Sequence, residues 1–211
     1  MEFIKYPRTY HLPWSPGRTD DDKVLPNVNH FINKRVVVSL KKDGECTSIY
    51  RDHIHARSID SKDHESRHWV KSLWAEKRWL IPEGWRVCGE NCYAEHSIHY
   101  NNLDSYFMAF SIWNEQNECL SYDKTRELCD SWGFVHVPVI YDGVIGPDIK
   151  EVLDDVYKNF LGEEGYVVRL CSGFNYEDFY QSVAKFVRKD HVLTDAHWMS
   201  RKVVKNELRP A

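Results

Sequence analysis

Four short stretches carry side chains that could act together on a nucleotide. Residues 41–44 read Lys-Lys-Asp-Gly, directly after a β-branched run. Gly89-Glu90 closes an apolar run, Glu164-Gly165-Tyr166-Val167 opens another, and Lys185 lies within "VAKFVRK". Singly each is weak: a strand lysine is usually a solvated charge, and a Glu-Gly pair is usually a turn. A lysine fixed beside a turn can also be a nucleophile. Its amine must first be neutral, yet an ordinary lysine has a pKa of about 10.4. A neighbouring cation such as Lys185 or Arg188 would lower that value. If the electrophile is a nucleotide α-phosphate, the same cations also hold its oxygens. Glu90 and Glu164 would then suit a ribose hydroxyl and a divalent metal, and Phe110 offers a face for a base.

Those residues need strands to carry them. The run at 35–41 reads as a strand ended by the Asp43-Gly44 turn, with "CTSIYRD" returning as its hairpin partner. "WRVCGENCYA", "SYFMAFSIWN", "HVPVIYDG", "EGYVVRL" and "QSVAKFVRK" read as further strands, the last two joined by about ten polar and aromatic residues. Residues 60–81 have helical spacing (Trp69, Leu73, Trp74, Leu80) and are stopped by Gly84. "SYDKTRELCDSWGF" predicts a helix capped by Ser121 or Asp123 with Gly133 past its end. "GPDIKEVLDDVYKNFLG" predicts another, with Pro147 near its first turn and Gly162 after its last. Residues 1–30 read as an irregular arm, and the tail from 191 as partly helical. Strands at hairpin spacing with flanking helices predict an α+β domain of antiparallel sheets.

Composition sets outer bounds. A chain of 211 residues, 42% hydrophobic and 28% charged, suits one globular domain with a real core. Aromatic residues are dense, which fits a core of large rings and also stacking on flat ligands. A net charge of −4 argues against indiscriminate DNA binding, though not against a local basic groove. The first residues carry no long apolar segment and no run approaches a membrane span, so neither a signal peptide nor a membrane partner is expected. Six scattered cysteines do not make a disulfide framework, and a reducing cytoplasm (a host's, for a viral chain) is the default expectation.

In order and spacing, the four stretches resemble the covalent lysyl-nucleotidyltransferases, the superfamily of RNA ligases, DNA ligases and capping guanylyltransferases. Their collinear motifs are K-x-D-G, a following arginine, a G-E strand end, an aromatic strand, E-G-x-V and a lysine-bearing last strand. This chain supplies all six between Lys41 and about Lys189. "YPRTYHLPWSPG", "HARSIDS", "GENCYAEHSIHY" and "AKFVRKDHV" bring it nearer to ATP-dependent RNA ligases of phage type, enzymes of RNA repair. The resemblance implies an adenylyltransferase domain that forms lysyl-AMP from ATP with Mg2+ or Mn2+, passes AMP to an RNA 5′-phosphate, and seals that end to a 3′-hydroxyl. It implies Lys41 as nucleophile, because K-x-D-G leaves Lys42 as the "x", a solvated or phosphate-facing cation. Asp43 and Gly44 complete that motif at the nucleotide. Arg57 matches the phosphate-contacting arginine, Glu90 the ribose-binding glutamate and Phe110 the ring that stacks on adenine, with Phe107 its competitor. Glu164 matches the metal-organising glutamate and Lys185 the residue on the α-phosphate; Arg188 or Lys189 would supply the second basic group of the last motif. Arg57, Arg169 and Arg188 are the candidate contacts to nucleic-acid phosphates.

Several positions depart from the family pattern. Leu40 stands where an acidic residue precedes the nucleophile in close relatives. Cys46 replaces a common Asn, Ser111 a common Asp, and Val187 the second lysine of the last motif. A capping enzyme or a typical DNA ligase would carry an OB-type domain, for which about twenty residues after Lys189 are too few; one domain over 1–211 is the expectation. A module that binds nucleotide or RNA without catalysis is the alternative of a different class, opposed by the intact lysines and glutamates. Zinc on Cys88, Cys92, His96 and His99 is a weaker rival, since all four fall within twelve residues and finger-like sites space their pairs further apart.

Overall fold

The computed structural model describes residues 2–189 and 202–210. In chain order its elements are β1 (Tyr10–His11), β2 (Lys34–Lys41), β3 (Glu45–Tyr50), β4 (Ile54–Ala56), α1 (His68–Lys77), β5 (Arg86–Asn91), β6 (Phe107–Trp113), β7 (Glu118–Cys119), α2 (Tyr122–Trp132), β8 (Val139–Ile145), α3 (Ile149–Tyr157), β9 (Gly165–Leu170), β10 (Phe174–Asn175), α4 (Phe179–Ser182) and β11 (Val183–Val187). The strands form two sheets, ordered β1-β11-β9-β2-β8 and β10-β7-β6-β5-β3-β4. Nearly all pairings are antiparallel; β1 joins β11 in parallel. The α+β expectation holds.

Alternation along each strand assigns its faces. In β2, Val36 and Val38 pack with Tyr166 and Val168 of β9 and with Ile149, Leu153 and Tyr157 of α3, so this face lies under a helix. The second sheet likewise sends Ile49, Val87, Phe107, Ala109 and Ile112 against Val70 of α1 and Cys129 of α2. The opposite faces supply a cavity between the sheets, lined by Ser39 and Lys41 of β2, Val167 and Arg169 of β9, Lys185 of β11, and Cys46, Glu90 and Phe110 of the second sheet.

The Asp-Gly turn does not make a hairpin. β2 pairs with β8 and β9, while β3 pairs with β4 and β5 in the other sheet. Residues 42–44 are therefore the corner where the chain passes between sheets, which leaves Lys41 at the cavity's apex. Gly44 is required there: a Cβ on it would stand 2.6 Å from the Asn91 carbonyl oxygen.

The helix caps agree with their sequence signals. Ser121 caps α2 by accepting from the Lys124 N–H, and Gly133 follows it at φ 68°. The first helix starts later than its spacing suggested, at His68 after a 3-10 turn over Glu65–Arg67. The link from β9 to β11 holds β10 and α4. The arm is less irregular than expected, because Leu12 and Leu25 are buried in the α3 core and β1 extends the first sheet. Of the tail, 190–201 and 211 lie outside the described residues. Residues 202–210 form no helix and make the isolated bridges Ala94↔Lys205 and Leu103↔Leu208. Asn206 is fully buried there; it accepts from the Tyr100 N–H and donates to the Cys92 carbonyl, both at 2.8 Å.

Candidate active site

The cavity has a volume of about 780 Å³, within the usual range for a small-molecule site. Lys41 ends β2 opposite Gly165. Its Nζ lies 2.5 Å from Oε2 of Glu164, which is buried at the entry to β9. A Cβ on Gly165 would come within 1.9 Å of the Phe186 carbonyl oxygen. The E-G pair therefore lets β11 close against β9 while the glutamate ahead of it faces the lysine.

Two adjacent lysines thus meet two adjacent glutamates, as the pairs Lys41–Glu164 and Lys42–Glu163. Lys42 is not solvated. The residue is 8% exposed and also lines the cavity, with its ammonium ion-paired to Glu163 and 4.6 Å above the Tyr100 ring. Arg188 joins the same side, its Nε donating to the Glu163 carbonyl at 3.0 Å, and it is not among the cavity-lining side chains. Lys189 is exposed.

Asp43 also turns from the cavity. Its Oδ2 accepts the Ser97 N–H at 2.7 Å and the Ile98 N–H at 3.0 Å, and its own N–H donates to the Tyr100 hydroxyl at 2.9 Å. It pins the corner to the 93–103 segment, which Asn206 holds from behind. Asp43 positions the lysine next to it.

A β-bulge delivers Phe110. Cys88 pairs with Ser111 and Gly89 with Ala109, so Phe110 is the extra residue between them. This changes the parity of β6: Phe107, Ala109 and Ile112 all face the outer core, while Phe110 and Ser111 both line the cavity. Phe107 is fully buried in that core. Tyr6 of the arm abuts the Phe110 ring edge-on at 5.0 Å between centroids.

Arg57 is exposed at the cavity rim, just past β4. Arg169 is buried, and its guanidinium donates to the carbonyls of Phe110 (3.3 Å) and Leu120 (2.9 Å). It ties the first sheet to the second and also lines the cavity. Cys88 and Cys92 fall in separate apolar clusters, Cys88 with Trp113 and Cys92 with Tyr100 and Met108.

The charge balance inverts one expectation. Burial alone would lower the pKa of Lys41, but the carboxylates of Glu164, Glu90 and Asp43 outweigh it and hold the amine above its ordinary value. The neighbouring cation that was to lower it is itself lowered: burial, then the charge of Lys41, depresses Lys185. Glu90 is pushed up to about 8, by burial first and by Glu164 and Asp43 next, against the pull of Lys41. In the ligand-free protein carboxylates hold Lys41 as an ammonium.

Glu90 gives a stability prediction. A carboxyl whose folded pKa is raised stabilises the fold most below its unfolded value and loses that contribution as pH rises through the folded one. The window here runs from about 4.5 to about 8. The melting temperature of Glu90→Gln should therefore gain on the wild type between pH 5 and 8.5. A pH-independent difference would contradict the assignment.

A divalent cation fits this site in one mode. Among the described residues no three His, Cys, Asp or Glu side chains converge as an all-protein cage. Glu164 offers a buried carboxylate against Lys41 at the edge of the cavity, and magnesium-type sites commonly combine one or two carboxylates with substrate phosphates.

Two antiparallel sheets enclosing a cavity, with a lysine at the corner between them, define a fold shared with ATP-dependent RNA ligases. An archaeal ATP-dependent RNA ligase superposes with a TM-score of 0.61 at 17% identity, over 88% of this chain and 48% of that one. A mutant of the Naegleria gruberi RNA ligase with ATP and Mn gives 0.55 at 16% identity, over 79% and 53%. A second mutant of that ligase, with AMP and Mn, gives the same figures. The chain thus spans about half the length of these proteins. No curated protein matches the sequence. The family model for RNA ligase matches residues 34–187, and the chain belongs to that family.

Proposed function

We propose that residues 1–211 act as an adenylyltransferase domain that uses ATP to join RNA ends through a lysyl-AMP intermediate on Lys41. The observation that carries this reading is one cavity lined by Lys41, Glu90, Lys185 and the bulged Phe110, with Glu164 against Lys41. Lys41 Nζ attacks the α-phosphorus of ATP; an N–P bond forms, the bond to the β-phosphate breaks, and pyrophosphate leaves with its electron pair. The ammonium must first lose a proton, and Glu164 Oε2 at 2.5 Å is placed to take it. Lys185 holds the α-phosphate, Glu90 the ribose and Phe110 the adenine face. Mg2+ or Mn2+ held by Glu164 would supply charge against the phosphates. AMP then passes from Lys41 to an RNA 5′-phosphate, and a 3′-hydroxyl displaces it to seal the strand.

Incubation with labelled ATP and magnesium followed by a denaturing gel separates this reading from a non-catalytic binding module, which would stay unlabelled. The RNA assignment has its own test. Pre-adenylylated strands bypass the lysine step, and only the 3′-terminal sugar is changed. A ribose end should seal at least about tenfold faster than a deoxyribose end, the scale of one lost hydrogen bond to a 2′-hydroxyl. Equal sealing, or better sealing of an all-DNA nick, would overturn the RNA preference and leave the nucleotidyltransferase reading standing.

A further inference from the structure

The N-terminal arm brings charge into the cavity that the reaction described above does not use. Arg8 and Asp22 both line it, beside Lys185. The Asp22 Oδ1 lies 3.7 Å from Arg8 Nη2 and 3.8 Å from Lys185 Nζ, so one oxygen sits between two cations and within hydrogen-bond reach of neither. The contrast with Lys41 and Glu164 at 2.5 Å is plain. Asp22 takes its short hydrogen bonds on Oδ2 instead, from the N–H and hydroxyl of Thr19 at 3.0 and 3.1 Å. His11 adds no charge: its Nε2 is 3.4 Å from Asp22, but burial, then Lys185, lowers it to about 4. Two cations therefore face one carboxylate oxygen at the arm side of the cavity. Arg8 is 45% exposed, which leaves its fork free to swing over a ligand.

We propose that Arg8 and Lys185 form a phosphate-binding subsite on the arm side of the cavity, with Asp22 as the placeholder that a phosphate displaces. A phosphate oxygen between the two cations would gain charge-assisted hydrogen bonds that Asp22 Oδ1 does not make. The inference rests on the nucleotidyltransferase reading and deepens it. Lys185 would bridge this phosphate and the α-phosphate, and the phosphate has two sources, the β- and γ-phosphates of ATP or the 5′-phosphate of the strand to be joined.

The test is calorimetric binding to the full chain, with inorganic pyrophosphate in one arm and a 5′-phosphorylated oligoribonucleotide, set against its 5′-hydroxyl counterpart, in the other. Arg8→Gln should weaken binding at least about tenfold in the arm that matches the true source, the effect of one charge-assisted hydrogen bond. Asp22→Asn should strengthen binding in that same arm, because it removes the competing carboxylate and keeps an acceptor for Thr19. A purely structural ion pair would not give opposite signs. Binding by Arg8→Gln within about twofold of wild type in both arms, or failure of Asp22→Asn to strengthen it, overturns the proposal. Labelling of the wild-type protein by ATP, run in parallel, separates this failure from that of the wider reading.

Discussion

Lys41→Ala is expected to abolish the ATP-dependent covalent label, whereas Lys42→Ala should keep the chemistry and lose stability. The two lysines are adjacent but stand in different surroundings. Both line the cavity, but Lys41 lies against Glu164 and Lys42 is buried against Glu163 and Tyr100. Removing Lys42 strands the Glu163 carboxylate, and breaking a buried pair costs about 3 kcal/mol at the low end. In a domain of this size that is roughly 6–12 °C in melting temperature. Below its melting point, Lys42→Ala should still label substantially. Label persisting in Lys41→Ala, or a Lys42→Ala protein that melts like wild type, would contradict the division of roles.

Glu164→Ala should lose at least about 100-fold in the rate of labelling, the lower range for removing a positioned proton acceptor. It also removes the carboxylate offered to a divalent cation. Lys41 stays near Glu90 and Asp43, which continue to favour its ammonium. The variant should therefore melt within roughly 4 °C of wild type, about 1 kcal/mol. Lys185→Ala should behave alike, since it also faces the cavity. A larger thermal loss with labelling retained would make these residues parts of the scaffold.

The strands that carry the chemistry were legible because each is an apolar run ended by a turn signal. Lys41, Glu90, Phe110, Glu164 and Lys185 all line or face one cavity, and Arg57 stands at its rim. Sheet membership was not legible. Asp-Gly fixes a local reversal of the chain, but whether the next strand pairs with the last one depends on which core each must cover, and β2 and β3 cover different ones. The Phe110 bulge is hidden for a related reason: "FMAFSIW" is apolar on both sides of the single Ser111, so a change of parity leaves no clear trace. The arm escaped because its prolines and acids have no period, yet it supplies Tyr6, Arg8 and Asp22 to the cavity. Roles that depend on partners were the least visible. Asp43 and Arg169 have the residue types of ligand contacts, and backbone groups take their hydrogen bonds.

The protonation of Lys41 likewise depends on partners that the sequence does not display. Lys185 does stand near Lys41, but three carboxylates stand there too and their charge outweighs it. An amine held in this way reacts only once it gives up its proton.

The central claim is a covalent bond between Lys41 and AMP, and peptide mapping by mass spectrometry tests it most directly. The protein is incubated with ATP and magnesium, digested under conditions that preserve N–P bonds, and searched for the mass of one AMP. The account predicts that mass on the peptide containing Lys41, with the bond on Lys41 itself and none on Lys42. AMP on another residue, or a protein that binds ATP and forms no adduct at all, would contradict it.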